Sequence, residues 1–342
     1  MLDLTIVVPV YNVEKFLPEC LESLPNNCRI ILVDDGSTDK SGEICKAYAG
    51  NRENIRVITK ENGGLSDARN AGINFVETDY VFFLDSDDYI DSQALIHAFE
   101  FASKRGLDWV QCGYAYLYEH EAIVFKAWPG AEMLSKSHVM DALVEDGYIK
   151  NFAWGKIYRT EIVRRHPFPK GKFFEDSFWQ HLIVNESESF GVWGEVATFY
   201  RQRSGSISGK FSTRNLDLLE GLEQRLKFFI ANTPQSKQRL AQAAFQLWSV
   251  AEESVKLAEG TSEELYATYS RSAKRIKCAY RELISTGISL QSFLIRQEMR
   301  TRFSGHDKIG KMLNVANRIA DRLTPDSYKK IKISKCQKLM DI

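Results

Sequence analysis

Hydrophobic and polar positions follow two regimes along this chain. In the first hundred residues, short apolar runs alternate with stretches whose apolar residues recur every three to four positions. Leu4–Val10, Arg29–Val33, Ile55–Thr59 and Tyr80–Leu84 read as strands, and Val13–Leu24, Ser41–Ala49, Ser66–Val76 and Ser92–Lys104 as the helices after them. Such alternation predicts βαβ units and a parallel sheet, and the continuous apolar runs predict that helices cover both of its faces. The pattern then loosens. Trp109–Leu117 reads as a strand and Val139–Glu145 as a helix, with shorter pieces at Ile157–Tyr158, Gly191–Val192 and Thr198–Arg201. From Leu216 onward the spacing is helical, over Leu216–Phe229, Gln238–Leu257, Glu263–Leu283 and Lys308–Leu323. The expected fold is α/β, a Rossmann-like, mostly parallel central sheet flanked by helices, followed by a C-terminal helical region. A boundary just after the Ser-Gly-rich stretch Ser204–Gly209 divides the chain into 1–212 and 213–342.

Composition narrows the class. Lys plus Arg and Asp plus Glu each number 45 among 342 residues, so net charge is zero and nothing in it points to nucleic acid. Cys20, Cys28, Cys45, Cys112, Cys278 and Cys336 form no C-x-x-C pair and have no His partners at zinc spacing, which predicts reduced thiols in a cytosolic protein. The chain opens on a strand-like run rather than a basic segment and an apolar core, so no signal peptide is expected. No window approaches the roughly 20 apolar residues of a membrane span. The expected location is cytoplasmic, soluble or peripheral at the inner face of the membrane. Lys308–Leu323 gathers Ile309, Met312, Leu313, Ala316, Ile319, Ala320 and Leu323 on one face, with Lys308, Lys311, Arg318 and Arg322 largely elsewhere, and Lys329, Lys330, Lys332, Lys335 and Lys338 follow. Three readings stand side by side: a basic helix on an anionic membrane surface, a helix packed on its own bundle, and a self-association surface.

Open α/β sheets bind ligands at the carboxyl ends of their strands. Three strand ends here carry polar clusters: Pro9-Val10-Tyr11-Asn12, Asp34-Asp35-Gly36-Ser37 and Asp85-Ser86-Asp87-Asp88. An Asp after a strand is often a helix cap, the expectation for Asp39 and Asp91. Asp34, Asp35, Asp85, Asp87 and Asp88 on one sheet edge would repel each other unless a cation or hydrogen-bond donors held them. In Asp85-x-Asp87, one carboxylate can ligate a hard cation, Mg²⁺ or Mn²⁺, while the other accepts from a ribose hydroxyl. The metal would neutralise a departing nucleoside diphosphate.

These motifs resemble the family 2 glycosyltransferases of the GT-A fold, and most nearly bacterial enzymes of capsule, exopolysaccharide or O-antigen assembly. The likeness rests on Thr5–Asn12, Val33–Asp39, Asn62-Gly63-Gly64-Leu65-Ser66 with Ala68-Arg69-Asn70 and Gly72, and Phe83–Asp88, in that order. It continues more loosely through Trp154–Arg159 and Phe174-Glu175-Asp176 to Tyr200-Arg201 with Arg203 and Ser206. The resemblance implies a UDP-sugar donor, with Asp35 on the uracil imide, Pro9 and Tyr11 lining the base pocket, and Asn62 and Arg69 near the nucleotide. It also places Asn12 and Ser86 in the nucleotide-sugar site, Asp85 on ribose or sugar, Asp87 on the metal and Asp176 as catalytic base. Arg201, Arg203 and Ser206 are expected at the diphosphate, under a closing Ser204–Gly209 loop. Trp154, Lys156 and Glu175 are the residues expected near the acceptor, a glycan or lipid-linked saccharide.

An acceptor hydroxyl attacking an anomeric carbon must lose a proton, and one carboxylate base with one displacement gives inversion. Glu175 competes with Asp176 for that role, and both together can be read as mere helix caps. His181 is expected to be structural. Two other functions compete: a degenerate transferase fold acting as a binding or assembly subunit, and a phosphatase of the haloacid-dehalogenase type built on Asp85-x-Asp87. A dinucleotide oxidoreductase is excluded because no G-x-G-x-x-G follows the first strand.

Overall fold

A computed structural model describes residues 1–118, 121–125, 130–145, 149–202, 211–291 and 328–332. The first four strands, β1 (Leu4–Val10), β2 (Arg29–Asp34), β3 (Ile55–Thr59) and β4 (Tyr80–Phe83), are parallel and lie in the order β4-β1-β2-β3. β1 is flanked on both sides, and all seven of its residues are buried, as the unbroken apolar run requires. The winding runs outward from β1 through β2 to β3 and then restarts on its other side with β4. That reversal opens a crevice between the carboxyl ends of β1 and β4.

Helices α1 (Leu17–Glu22), α2 (Ser41–Asn51), α3 (Leu65–Ile73) and α4 (Ser92–Arg105) cover this half. α1 is much shorter than Val13–Leu24, because Pro18 in its first turn fixes the start and Val13–Phe16 forms a preceding turn. Asp91 caps α4 as expected, its side chain accepting from the backbone N–H groups of Gln93 and Ala94. Asp39 accepts from the Ser41 N–H at 2.9 Å, but the N-cap of α2 is the following residue, Lys40. α3 lies very close to the sheet: a Cβ on Gly72 would sit 2.5 Å from Val7 Cγ1. Ala68, Arg69, Gly72 and Ile73 make its buried stripe, so the close approach also fixes Arg69 above the crevice.

The second half turns the sheet mixed. β5 (Tyr89–Ile90), β6 (Trp109–Leu117), β7 (Glu121–Phe125), β8 (Ala131–Leu134), β9 (Lys156–Arg159) and β10 (Phe190–Arg201) extend it, with β9 antiparallel between β4 and β6. β10 is one strand where the sequence shows two fragments. Its register against β6 slips between Trp193 and Thr198, where Gly194-Glu195 interrupts the apolar alternation and the Glu195 backbone crowds Gly113. Helices α5 (Lys136–Glu145), α6 (Thr160–Arg165) and α7 (Asp176–Glu186) are followed by α8 (Asn215–Asn232), α9 (Lys237–Glu259), α10 (Glu263–Ala279) and α11 (Arg281–Gln291). The helix expected over Glu263–Leu283 therefore breaks at Tyr280. The Lys308–Leu323 helix lies outside the described residues, and part of the basic tail forms β11 (Tyr328–Lys332), antiparallel to β7.

Two apolar layers sandwich the sheet. Leu4, Ile6, Val8 and Val10 face α1 and α4, while Val7, Val33 and Phe83 face α3, α5 and α7. The second layer continues without a break through Trp179 into Leu222, Leu226 and Phe229 of α8 and Leu240 and Leu247 of α9. Polar ties cross the same boundary: Arg239 Nε to Asp141 at 2.7 Å and Gln242 to Glu145 at 2.9 Å. Cys20, Cys28, Cys45 and Cys112 are buried free thiols. Among the described residues no helix is long and apolar enough to cross a membrane.

Within the helical part, Glu223 receives both Arg275 N–H arms, at 2.9 and 2.5 Å, and the Tyr280 hydroxyl at 3.0 Å. The Arg275 bonds, opposed by burial and helped by Lys227 and Tyr280, push its carboxyl from 4.5 down to about 2. The unfolded chain takes up that proton near the ordinary value, so the stabilisation is complete above about pH 4.5 and is lost as pH falls toward 2. Glu223→Gln is expected to cost about 2 kcal/mol at pH 7, read by urea denaturation, with the gap from wild type closing below pH 4.

Candidate active site

Polar residues from five chain segments converge on the crevice. At the end of β2, Asp34 accepts from the Ser37 N–H at 3.0 Å, and its carboxylate lies where a Cβ on Gly42 would stand. It shapes the turn. Asp35 faces the other way and is nearly enclosed. Its Oδ1 accepts from Lys60 Nζ at 2.7 Å and Gly63 N–H at 3.0 Å, and its Oδ2 accepts from Gly64 N–H at 2.8 Å. Asn62 donates from its side chain to the Asp35 carbonyl at 3.0 Å, so the loop after β3 wraps the end of β2. Pro9 is buried within β1, whereas the Tyr11 ring is exposed just beyond it. Asn12 takes a left-handed backbone, φ 51°, and accepts from the Thr38 N–H at 2.8 Å, binding the first strand end to the second.

Arg69 is the centre of the site. It is 1% exposed, and its two terminal nitrogens donate to Glu175 Oε1 and, at 2.8 Å, to Asp85 Oδ1. Asp176 Oδ1 stands 3.8 Å away, an ion pair without a hydrogen bond. Phe168 and Phe83 lie against the guanidinium, 5.2 and 5.9 Å from its carbon. Burial opposes the charge on Arg69, but Asp85, Glu175 and Asp176 together hold it firmly protonated. Asp176 Oδ1 is buried with no hydrogen-bond partner. Burial and the neighbouring Glu175 raise its carboxyl well above the ordinary range, although Arg69 and Lys156 pull the other way. The capping reading fails on geometry: Glu175 is at the N-cap of α7 but makes no capping bond and instead pairs with Arg69. The preceding Phe174 has φ 54°, a strained value for a non-glycine residue, and turns the chain so that both acids face the crevice.

The acidic loop after β4 is braced from behind. The Arg201 N–H donates to Asp88 Oδ1 at 2.8 Å, its Nε to the Asp87 carbonyl at 3.1 Å, and its Nη2 to Glu19 at 2.5 Å. Arg201, expected at the diphosphate, thus holds the loop. Ser86 is buried beneath it. Asp88 Oδ2 is buried and unpartnered, and burial, Asp87 and Asp85 raise that carboxyl well above its ordinary range. An orphaned acid beside two more carboxylates fits a nearby cation, yet the described residues contain no ready-made group of three ligands. Such a site would lean on ligand oxygens to complete the shell, as Mg²⁺ commonly does.

Two acceptor expectations are corrected. Trp154 is 5% exposed, stacked on Phe152 at 3.7 Å and on Tyr200 at 4.9 Å, so its ring packs inside an aromatic cluster rather than lining an open groove. Lys156 is fully buried on β9 and donates to the Phe152 carbonyl. Arg203 and Ser206 lie outside the described residues. His181 is structural as expected: packed against Phe228 and Phe229, it is pushed down to about 3 by burial and Arg225, so it stays neutral. The sequence reading overlooked Lys60, Asp67 and Glu19. Lys60 could have been found as the one strand-end residue left out, that of β3.

Comparison with known proteins agrees with this geometry. Residues 5–162 match the model of glycosyl transferase family 2. Glycosyltransferase GlyG of Streptococcus pneumoniae is 30% identical over 217 residues, 60% of this chain and 72% of that one. Glycosyltransferase GlyA of the same organism is 32% identical over 236 residues, 65% of this chain but only 34% of GlyA. The minor teichoic acid biosynthesis protein GgaB of Bacillus subtilis is 28% identical over 259 residues, 67% of this chain and 28% of GgaB. The chain thus spans about a third of GlyA and less of GgaB. Among solved structures, Staphylococcus aureus TarS 1–349 in complex with UDP-GlcNAc superposes with a TM-score of 0.63 at 20% identity, covering 82% of this chain and 92% of that one. The chain belongs to glycosyl transferase family 2, and its fold is the GT-A type. A phosphatase built on Asp85 falls away with this family assignment.

Removing the buried cation strands three carboxylates. Arg69→Met is expected to cost about 3–5 kcal/mol at pH 8 and clearly less at pH 5, where proton uptake relieves part of the stranded negative charge. Denaturation curves at the two pH values decide this.

Proposed function

We propose that this chain is an inverting glycosyltransferase that moves a sugar from a UDP-sugar to a hydroxyl of a glycan or lipid-linked acceptor in the assembly of a cell-surface polymer. The observation that carries this reading is Asp176, a carboxylate with one buried, unpartnered oxygen, 3.8 Å from a guanidinium that also grips Asp85 at the mouth of the crevice. The surface-polymer context is supported by the relative GgaB, and the UDP-sugar by the TarS complex.

On this reading the base stacks on Tyr11 and donates its imide N–H to Asp35, with Pro9, Asn12 and Asn62 shaping the pocket. Asp85 accepts from a ribose or sugar hydroxyl, with Ser86 beneath it. Asp87 would hold Mg²⁺ or Mn²⁺, which supplies positive charge at the departing diphosphate. Arg201 keeps the loop of Asp87 and Asp88 in place, and Arg203 and Ser206 are assigned to the diphosphate. Asp176 takes the proton of the acceptor hydroxyl as that oxygen attacks the anomeric carbon from the side opposite UDP, so the configuration inverts. Glu175 and Arg69 fix where Asp176 sits. A raised pKa suits a base that must accept a proton near neutral pH. Residues 1–212 perform the chemistry in this scheme, and 213–342 serve acceptor, membrane or self-association. A cytoplasmic location, at the inner face of the membrane, accords with an acceptor carried on lipid.

Asp176→Asn is expected to lower transfer by roughly 10²–10⁴-fold while leaving UDP-sugar affinity within a few-fold of wild type. Calorimetric donor binding beside initial rates tests both halves, and retained turnover would remove Asp176 from the base role. In the wild type, kcat should fall as pH drops through the raised Asp176 pKa, with the acid limb displaced above the ordinary carboxylate range. A limb at an ordinary Asp value contradicts that assignment.

A further inference from the structure

We propose that Lys60 determines which nucleobase the crevice accepts, by filling one oxygen of Asp35 so that only a single N–H donor can be received. The inference rests on the reading of Asp35 as the base acceptor. An ionised carboxylate offers about four acceptor positions, two on each oxygen. Here Oδ1 already takes Lys60 Nζ at 2.7 Å and Gly63 N–H at 3.0 Å, and Oδ2 takes Gly64 N–H at 2.8 Å. Among the described residues no other group reaches either oxygen. One position is left, on Oδ2. It lies beside Gly64, where φ is 84° and a Cβ would meet nothing within 4 Å among the described residues, so the rim has room for a ligand.

Lys60 is held in this task from three directions. Its ammonium also reaches Asp67 Oδ2 at 2.7 Å and the Glu61 carbonyl, so all three of its donors are engaged. Asp67 keeps a second cation, Lys170, and does not depend on Lys60 alone.

The bases differ in what they present to such an acceptor. Uracil and thymine offer one imide N–H between two carbonyls. Guanine offers two adjacent donors, N1–H and N2–H, which suit a carboxylate with a free position on each oxygen. Cytosine and adenine turn a bare ring nitrogen toward the carboxylate and are repelled. With Oδ1 full, the second donor of guanine is buried without a partner, a penalty that discriminates strongly. Without the Lys60 ammonium, Oδ1 regains a position and a two-donor edge fits.

Inosine diphosphate isolates the effect, because it keeps the purine and the N1–H but lacks the N2 donors. Isothermal titration of the full chain with UDP, IDP and GDP, for wild type and Lys60→Met, is the test. Wild type is expected to bind UDP most tightly and IDP about tenfold or more tighter than GDP. In Lys60→Met that IDP-to-GDP ratio should fall by about tenfold or more, to parity or below. An unchanged ratio in a folded variant overturns the proposal, as does a wild type that prefers GDP to IDP, a result that needs no variant. If the wild type binds none of the three, the nucleotide-sugar reading itself fails, and this inference with it.

Discussion

A guanidinium taken out of water needs acids around it, and the acids need it in return. Arg69 is enclosed by Phe83 and Phe168 and answers to Asp85 from the end of β4 and to Glu175 and Asp176 from the start of α7. Asp85 lies far from the other two along the chain. Brought together without the arginine, three carboxylates in a half-closed crevice would drive one another to take up protons. Brought together with it, they form a node that joins the end of β4 to the first turn of α7. A buried cluster of this kind is weak as a source of net stability, since desolvation consumes much of the attraction. Its contribution is placement.

The backbone is arranged to deliver that node. Gly72 lets α3 press onto β1 and β2, which sets the height of Arg69 one turn earlier. Phe174, just before the acids of α7, and Asn12, just after β1, both take positive φ. Asn is among the few non-glycine residues that adopt this conformation readily, but Phe is not, and such local cost is retained where surrounding structure imposes it. The order β4-β1-β2-β3 sets the ends of β1 and β4 side by side at the reversal of winding.

Most of the first half was legible in the sequence because strand and helix periods are unambiguous there and three of its four strand ends carry a marked polar cluster. The later elements were less so, for identifiable reasons. β10 hides behind a bulge at Gly194-Glu195, and β9 is only four residues long. For the site, the acids and Arg69 stood out by motif. The direction of Arg201 and the burial of Trp154 and Lys156 did not, since an arginine or tryptophan near a strand end reads the same whether it faces ligand or core. Lys60 was missed because a lone lysine after a strand resembles a solvated surface residue until Asp35 and Asp67 are seen on either side of it.

The unbroken apolar layer from the sheet through Trp179 into α8 and α9 bears on how such an enzyme can be recombined. α7 carries Asp176 on its first turn and buries Trp179, Ile183 and Val184 against neighbours that include the C-terminal helices. A hybrid that grafts a foreign helical tail onto this sheet would rest Asp176 on a mismatched cushion. On the proposed reading of Asp176 as the base, it would bind donor normally and still transfer poorly. Successful exchange of acceptor preference between relatives would therefore require α7 to travel with the helices that support it, making the joint before Phe174 a better crossover point than the linker after β10.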